Sequence, residues 1–265
     1  PKIICSYPIT PQTTVVEYLS EFINDGELDA EYIESEGEHG MLNQAMGAAQ
    51  AGARVFTATC SQGLMYAYEG FPAAAHSRFP IICGIVNRSC DFTIYPDHTD
   101  SMSVRDWAWM QFYVEHAQES IDTIIQAYRI AEDRRIYLPA FVCQDGFYVS
   151  YTTEPVDVPE QEEVDEFLPP FKPIYPALDP ERPSFVEWPD LPESPMAMRI
   201  ACEEALMRAR TTVIKEINEE FGKKFDRRYG NGLIDEYMTE DAEVALVTIG
   251  SMTGSARTAV EEMRR

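Results

Sequence analysis

Reactive side chains in this sequence collect where apolar runs end. Thr10 follows Lys2–Tyr7, and Glu36 and Glu38 stand at the start of a helical pattern. Ser61, Gln62 and Gly63 follow Arg54–Thr59, Arg88 follows Ile81–Val86, and Asp145 follows Ile136–Cys143. Each has a plain reading as a cap or turn; acidic groups at 36 and 38 favour a helix N-terminus through its dipole. Arg88 resists that reading. An arginine directly after an apolar strand sits at a site mouth, where its fork can take a carboxylate bidentately. Asp97, His98, Thr99 and Asp100 are adjacent and cannot all converge on one metal, so they read as a loop network or N-cap. The G-x-S-x-G elbow of a serine triad is absent. Tyr66, Tyr68 and Phe71 fall at helical spacing and read as core.

The elements that must position these groups alternate. Lys2–Tyr7 reads as a buried strand. Val15, Val16, Leu19, Phe22 and Ile23 then give a one-faced helix, with Thr10 at its N-cap and Pro11 at its first position. A short strand Ala30–Ile33, a helix Glu38–Ala51, a strand Arg54–Thr59 and a helix Leu64–His76 follow. Next come a strand Ile81–Val86 and a polar loop Asn87–Ser103. Its aromatics Phe92 and Tyr95 are read as buried, either lining a pocket or anchoring the loop. Helices Val104–His116 and Glu119–Glu132 precede a strand Ile136–Cys143. This alternation predicts an α/β fold, a doubly wound parallel sheet with sites at the carboxyl ends of its strands. Residues 153–196, rich in proline and acid, read as an extended arm. A long helix Pro195–Gly222, a strand Ala242–Gly250, a turn Ser251–Ser255 and a last helix complete the pattern. The expected division is therefore 1–152, an arm and helix over 153–240, and the start of a second α/β domain over 241–265. Opening inside a strand and stopping inside a helix, the sequence reads as part of a longer polypeptide.

Forty-five acidic residues against 21 basic ones leave a formal charge of −24, which argues against nucleic acid or anionic membrane partners. Six scattered cysteines, without a C-x-x-C pair, give poor support for zinc or an iron–sulfur cluster in this chain. Cys5, Cys83 and Cys143 lie in apolar runs as small buried hydrophobes, and a reducing cytoplasm is expected.

The stretches SYPITPQTT (6–14), ESEGEHGMLNQAMGAAQAGARVFTATCSQG (34–63), NR (87–88), PDHTDSMSVRD (96–106) and CQDGF (143–147) together resemble one family. It is the pyrimidine-binding domain of 2-oxoacid:ferredoxin oxidoreductases, thiamine diphosphate enzymes of anaerobic metabolism. Residues 1–150 resemble it closely and 242–265, like the start of a transketolase C-terminal-like domain, loosely. DVPE (157–160) and EFLPPF (166–171) are most similar to the oxalate and arylglyoxylate branches.

The resemblance implies a thiamine-diphosphate-binding fold in which a glutamate opening the second helix bonds N1′ of the cofactor's aminopyrimidine. Counting back from AGA (51–53) places Glu38 there, with Glu36 as the other register. Thr10 matches the threonine, and Arg88 the arginine, that take the substrate carboxylate. Ser61, Gln62 and Gly63 are expected to line the cofactor. The oxalate pattern has arginine where Thr10 stands, so one fewer cation favours a monoanionic 2-oxoacid. No stretch resembles the G-D-G…N motif for magnesium diphosphate or the cysteine sets of [4Fe–4S] clusters, which are expected in partner subunits of β, γ and δ type. The implied activity is α-subunit work in oxidative decarboxylation of a 2-oxoacid such as phenylglyoxylate or pyruvate to acyl-coenzyme A and CO2, with electrons passing to clusters and ferredoxin. A non-oxidative thiamine enzyme and a non-catalytic subunit of the same fold are the alternatives.

Overall fold

The computed structural model describes residues 1–91, 93–174, 178–183 and 193–265. Six strands form one parallel sheet: β1 (Ile3–Ser6), β2 (Glu31–Glu34), β3 (Val55–Thr59), β4 (Ile82–Asn87), β5 (Met110–Tyr113) and β6 (Ala140–Asp145). Their spatial order is β2-β1-β3-β4-β6-β5, and every pair is parallel. Central strands of such a sheet are covered on both faces and carry near-continuous apolar runs. All five residues of β3 are buried, whereas the edge strand β2 is exposed at both ends.

The helices are α1 (Thr13–Asn24), α2 (Glu38–Gln50), α3 (Ser61–Tyr66), α4 (Gly70–His76), α5 (Thr99–Ser103), α6 (Ala117–Ala131), α7 (Gln161–Phe167), α8 (Glu193–Arg208), α9 (Ile214–Phe225) and α10 (Met252–Met263). Right-handed crossovers place α1 and α6 on one face and α2 to α4 on the other. In agreement, α2 touches α3, α4, β1 and β3, while α6 packs on β4 and β6. One π-helical turn, Ala209–Val213, joins α8 to α9. The expected long helix therefore forms, α8 lying against α4 and α9 against α6. The order reverses between β1 and β3, since the chain goes outward to β2 and then returns. In doubly wound sheets that switch point is where ligands bind.

Five expectations about the secondary-structure elements need correction. Thr10 is not an N-cap: Gln12 occupies that place without a side-chain cap bond. Gln12 N–H donates to the Ile9 carbonyl at 2.7 Å and its Oε1 accepts from Ile9 N–H at 3.3 Å. That closed turn holds residues 9–12 ahead of the helix. The helix expected over Leu64–His76 is two, broken at Ala67–Glu69. The second begins at Gly70, where a methyl would come within 2.6 Å of Leu42 on α2. The helix expected over Val104–His116 is instead the edge strand β5. Trp109, beside it, stacks on Phe141 of β6 at 4.3 Å, and aromatics favour a pleated, half-buried surface. The strand expected from Ile136 begins only after Pro139, at Ala140. Finally, Ala242–Gly250 forms no strand. Val244, Leu246 and Val247 are 89%, 73% and 88% exposed, and the segment pairs with no strand among the described residues.

The cysteines behave as expected. Cys5, Cys83 and Cys143 are buried, all six are unpaired, and burial pushes the Cys5 thiol up to about 11. Phe71 is core, but Tyr66 and Tyr68 are exposed, against expectation. Phe92 lies outside the described residues, and Tyr95 is exposed rather than buried. No helix among the described residues is long and apolar enough to cross a membrane.

Candidate active site

At the switch point, the turn after β1 meets the loops after β3 and β4. The Thr10 carbonyl accepts from the Cys60 thiol at 3.4 Å and from the Arg88 guanidinium. Arg88 also donates to Gln62 Oε1, and Gln62 Nε2 donates to the Cys90 carbonyl at 3.0 Å. Thr10 and Gln62 are exposed and Arg88 is half-buried, so a cation and a hydroxyl-bearing residue share one solvent-facing mouth. A guanidinium fixed by two neutral acceptors keeps its full charge for an incoming carboxylate.

Ser61 is fully buried and opens α3 with φ 46, a left-handed conformation unusual for a residue other than glycine. Surrounding bonds determine it. Its N–H donates to Asp100 Oδ2 at 3.0 Å, and its hydroxyl lies 2.7 Å from both the Ser89 carbonyl and Gln62 Oε1. The same Asp100 Oδ2 accepts from Arg88 N–H at 3.0 Å, while Oδ1 accepts from Asn87 Nδ2 at 2.7 Å and Ser101 N–H at 2.8 Å. Asp100 is wholly buried and ties the loop after β3 to the loop after β4. Sequence reading found the network in 97–100 but not this central part, since nothing local marks which aspartate is buried. Asp97 faces solvent; burial raises it, but donors from Thr99 and Ser89 outweigh that and hold it below the usual carboxylate range.

Glu38 opens α2 and is 5% exposed. Burial raises its carboxyl, and a hydrogen bond from its own backbone amide only partly opposes this. Its carboxylate faces α3 so closely that a methyl on Gly63 would lie 2.5 Å from Glu38 Oε1 and 2.3 Å from Thr59 Oγ1. Glu36 differs: it is exposed, with its carboxylate over Gly40 in the first turn of α2. Thr10, Glu38, Ser61, Gln62, Gly63 and Arg88 thus gather at the carboxyl ends of β1, β3 and β4 and the start of α2. Asp145 does not join them. It accepts from His98 Nε2 at 2.6 Å and from Ser251 Oγ at 2.6 Å, bonds that outweigh its burial and keep it below the carboxylate range. That contact docks the start of α10 on the end of β6.

No group of three or more His, Cys, Asp and Glu side chains among the described residues is arranged for a metal ion. The site's chemistry is instead that of a nearly dry carboxylate at a helix start, able to hold a proton, beside an arginine at the entrance.

A family model described as pyruvate flavodoxin/ferredoxin oxidoreductase, thiamine diphosphate-binding, matches residues 1–218. Pyruvate synthase subunit PorA of Methanocaldococcus jannaschii is 46% identical, over 99% of this chain and 68% of that protein. PorA of Pyrococcus furiosus is also 46% identical, over 100% of this chain and 66% of that protein. Ketoisovalerate oxidoreductase subunit VorA of Pyrococcus horikoshii is 40% identical, with coverage of 100% and 66%. The chain thus spans about two thirds of the length of these relatives. They are named for pyruvate and ketoisovalerate, and give no support to the expected closeness to the oxalate and arylglyoxylate branches. A solved 2-oxoglutarate:ferredoxin oxidoreductase from Magnetococcus marinus has the same fold, with a TM-score of 0.64 over 99% of this chain and 48% of that one, at 16% identity. By the family match and these identities, the chain belongs to the thiamine diphosphate-binding family of pyruvate flavodoxin/ferredoxin oxidoreductases.

Proposed function

We propose that this chain is the α subunit of a thiamine-diphosphate-dependent 2-oxoacid:ferredoxin oxidoreductase whose substrate is pyruvate. The observation that carries the reading is Glu38, a carboxylate 5% exposed at the start of α2, within one loop of the Arg88–Thr10 mouth. The residues fit the aminopyrimidine half of the cofactor: a buried acid for a ring nitrogen, and a glycine, Gly63, that puts no side chain against that acid. When bound, thiamine diphosphate supplies a carbon nucleophile for the 2-oxo carbon and an electron sink for the loss of CO2.

Glu38 would hold the pyrimidine N1′, supplying there a carboxylate able to share a proton, which a neutral amide cannot do. Arg88 and Thr10 take the substrate carboxylate. Burial of Glu38 excludes water from the acid and strengthens its pull on a bound proton. The reading of pyruvate rests on the likeness to pyruvate synthase subunits together with a clamp carrying one cation, which suits a monoanion. Magnesium diphosphate, [4Fe–4S] clusters and coenzyme A belong to β, γ and δ type partner subunits in this reading. The unpaired thiols support a reducing, cytoplasmic setting.

The test is steady-state reduction of ferredoxin or a viologen by the purified complex, with coenzyme A, on pyruvate, 2-oxoisovalerate and phenylglyoxylate. Pyruvate is expected to give the highest kcat/KM. A preference for phenylglyoxylate would overturn the substrate, and turnover of none would overturn the activity.

A further inference from the structure

Buried polar groups are nearly always hydrogen-bonded, yet the Thr59 hydroxyl is buried with no partner among the described residues. Thr59 is the last residue of β3 and is 0% exposed. Its surroundings say what it is for. The same point above Gly63 lies 2.3 Å from Thr59 Oγ1 and 2.5 Å from Glu38 Oε1. Both oxygens therefore lie beside the same glycine hydrogen, near each other but not hydrogen-bonded as they stand. Valine has the same shape as threonine and no hydroxyl to strand, so a position that only filled space would be better served by it.

We propose that Thr59 is a positioning residue for Glu38: a small turn of either side chain lets its hydroxyl donate to the ionised carboxylate beside Gly63, and so aims the other carboxylate oxygen away from the sheet, toward the open side of the site. The role rests on the reading of Glu38 as the acid that meets the cofactor's pyrimidine. A hydroxyl donor favours the charged form of a carboxylate in a dry setting, where the backbone amide of Glu38 is its one donor among the described residues. Gly63 is part of the device, since any side chain there would part the two oxygens. Among the described residues, the other titratable groups around Glu38 are Cys60 just after β3, Tyr66 on α3 against Gly37, His39 on α2, which pairs with Glu69, and the exposed Glu36.

The experiment is a double-mutant cycle on the full-length assembled protein without cofactor: wild type, Thr59→Val, Glu38→Gln and the pair, melted from about pH 4 to about pH 8. Groups other than Glu38 are common to all four proteins and cancel. At the acid end Thr59→Val is expected to be as stable as wild type or more so. As pH rises, Thr59→Val falls behind, because its Glu38 ionises without the donor. The apparent titration of Glu38 moves up by about one pH unit. In the Glu38→Gln background the effect of Thr59→Val is the same at every pH, and Thr59→Ser keeps the wild-type profile. A Thr59→Val effect that is flat with pH in both backgrounds overturns the proposal. If the cycle couples while Glu38→Gln retains full turnover, the positioning role stands and the catalytic reading of Glu38 falls. If Glu38→Gln is inactive and the cycle is flat, the reverse holds.

Discussion

Glu38 and Arg88 are opposite charges whose burial suits their tasks, one nearly dry and one at the mouth. Burial raises the Glu38 carboxyl, so the native state binds its proton more tightly than the unfolded chain does. Below the unfolded carboxyl value of about 4.3 both states are protonated and the group is neutral to stability. As pH rises through the raised native value, ionisation costs the native state alone. Glu38→Gln is therefore expected to raise the melting temperature at neutral pH, with the gain vanishing near pH 4, while turnover falls by about 10²–10⁴-fold. Melts at both pH values and steady-state kinetics check the two halves. At Arg88, lysine keeps the charge but loses the planar fork that reaches the Thr10 carbonyl and Gln62 together. Arg88→Lys is expected to raise KM for the 2-oxoacid by about tenfold or more with a smaller change in kcat, the mark of a group that binds more than it reacts. Wild-type kcat/KM in a well-folded Arg88→Ala would remove the clamp.

At the scale of elements, the site depends on how closely α3 approaches α2. Gly63→Ala would put a methyl within 2.5 Å of Glu38 Oε1 and closer still to Thr59 Oγ1, forcing one helix or the carboxylate to shift. The expected outcome is a loss of thiamine diphosphate affinity of about tenfold or more, read by titrating the cofactor into the assembled apoprotein; unchanged affinity would show that the contact relaxes freely. Most element types were legible from periodicity, as with the buried runs of β3 and β4 and the helix opening at Glu38. Where the reading failed, a tertiary contact decided. Trp109 could lie on a helix or a strand by spacing, and the free edge of β6 with Phe141 beneath it made the segment a strand. Ala242–Gly250 has a strand's composition but pairs with no strand among the described residues.

Over the whole molecule, an excess of 24 negative charges disfavours polyanions, and five of the six thiols are buried. The purified single chain is expected to carry no stoichiometric iron, because the cysteines sit on separate strands, loops and helices with no converging set among the described residues. Colorimetric iron analysis checks this, and iron at one atom or more per chain would overturn it. The sequence by itself determined the parallel α/β class, the two carboxylate registers at the start of α2, and the clustering of polar groups at strand ends. Each of these is written in local order: apolar period, flanking turn residues, and the residue that follows a strand. Only the tertiary structure decided that Glu38 is buried while Glu36 is exposed, that Asp100 joins two site loops, and that Thr59 faces Glu38 across Gly63. The physical reason is the same in all three. Burial and hydrogen-bond partners belong to groups far apart along the chain, and strand order at the switch point, which periodicity does not encode, brings them together.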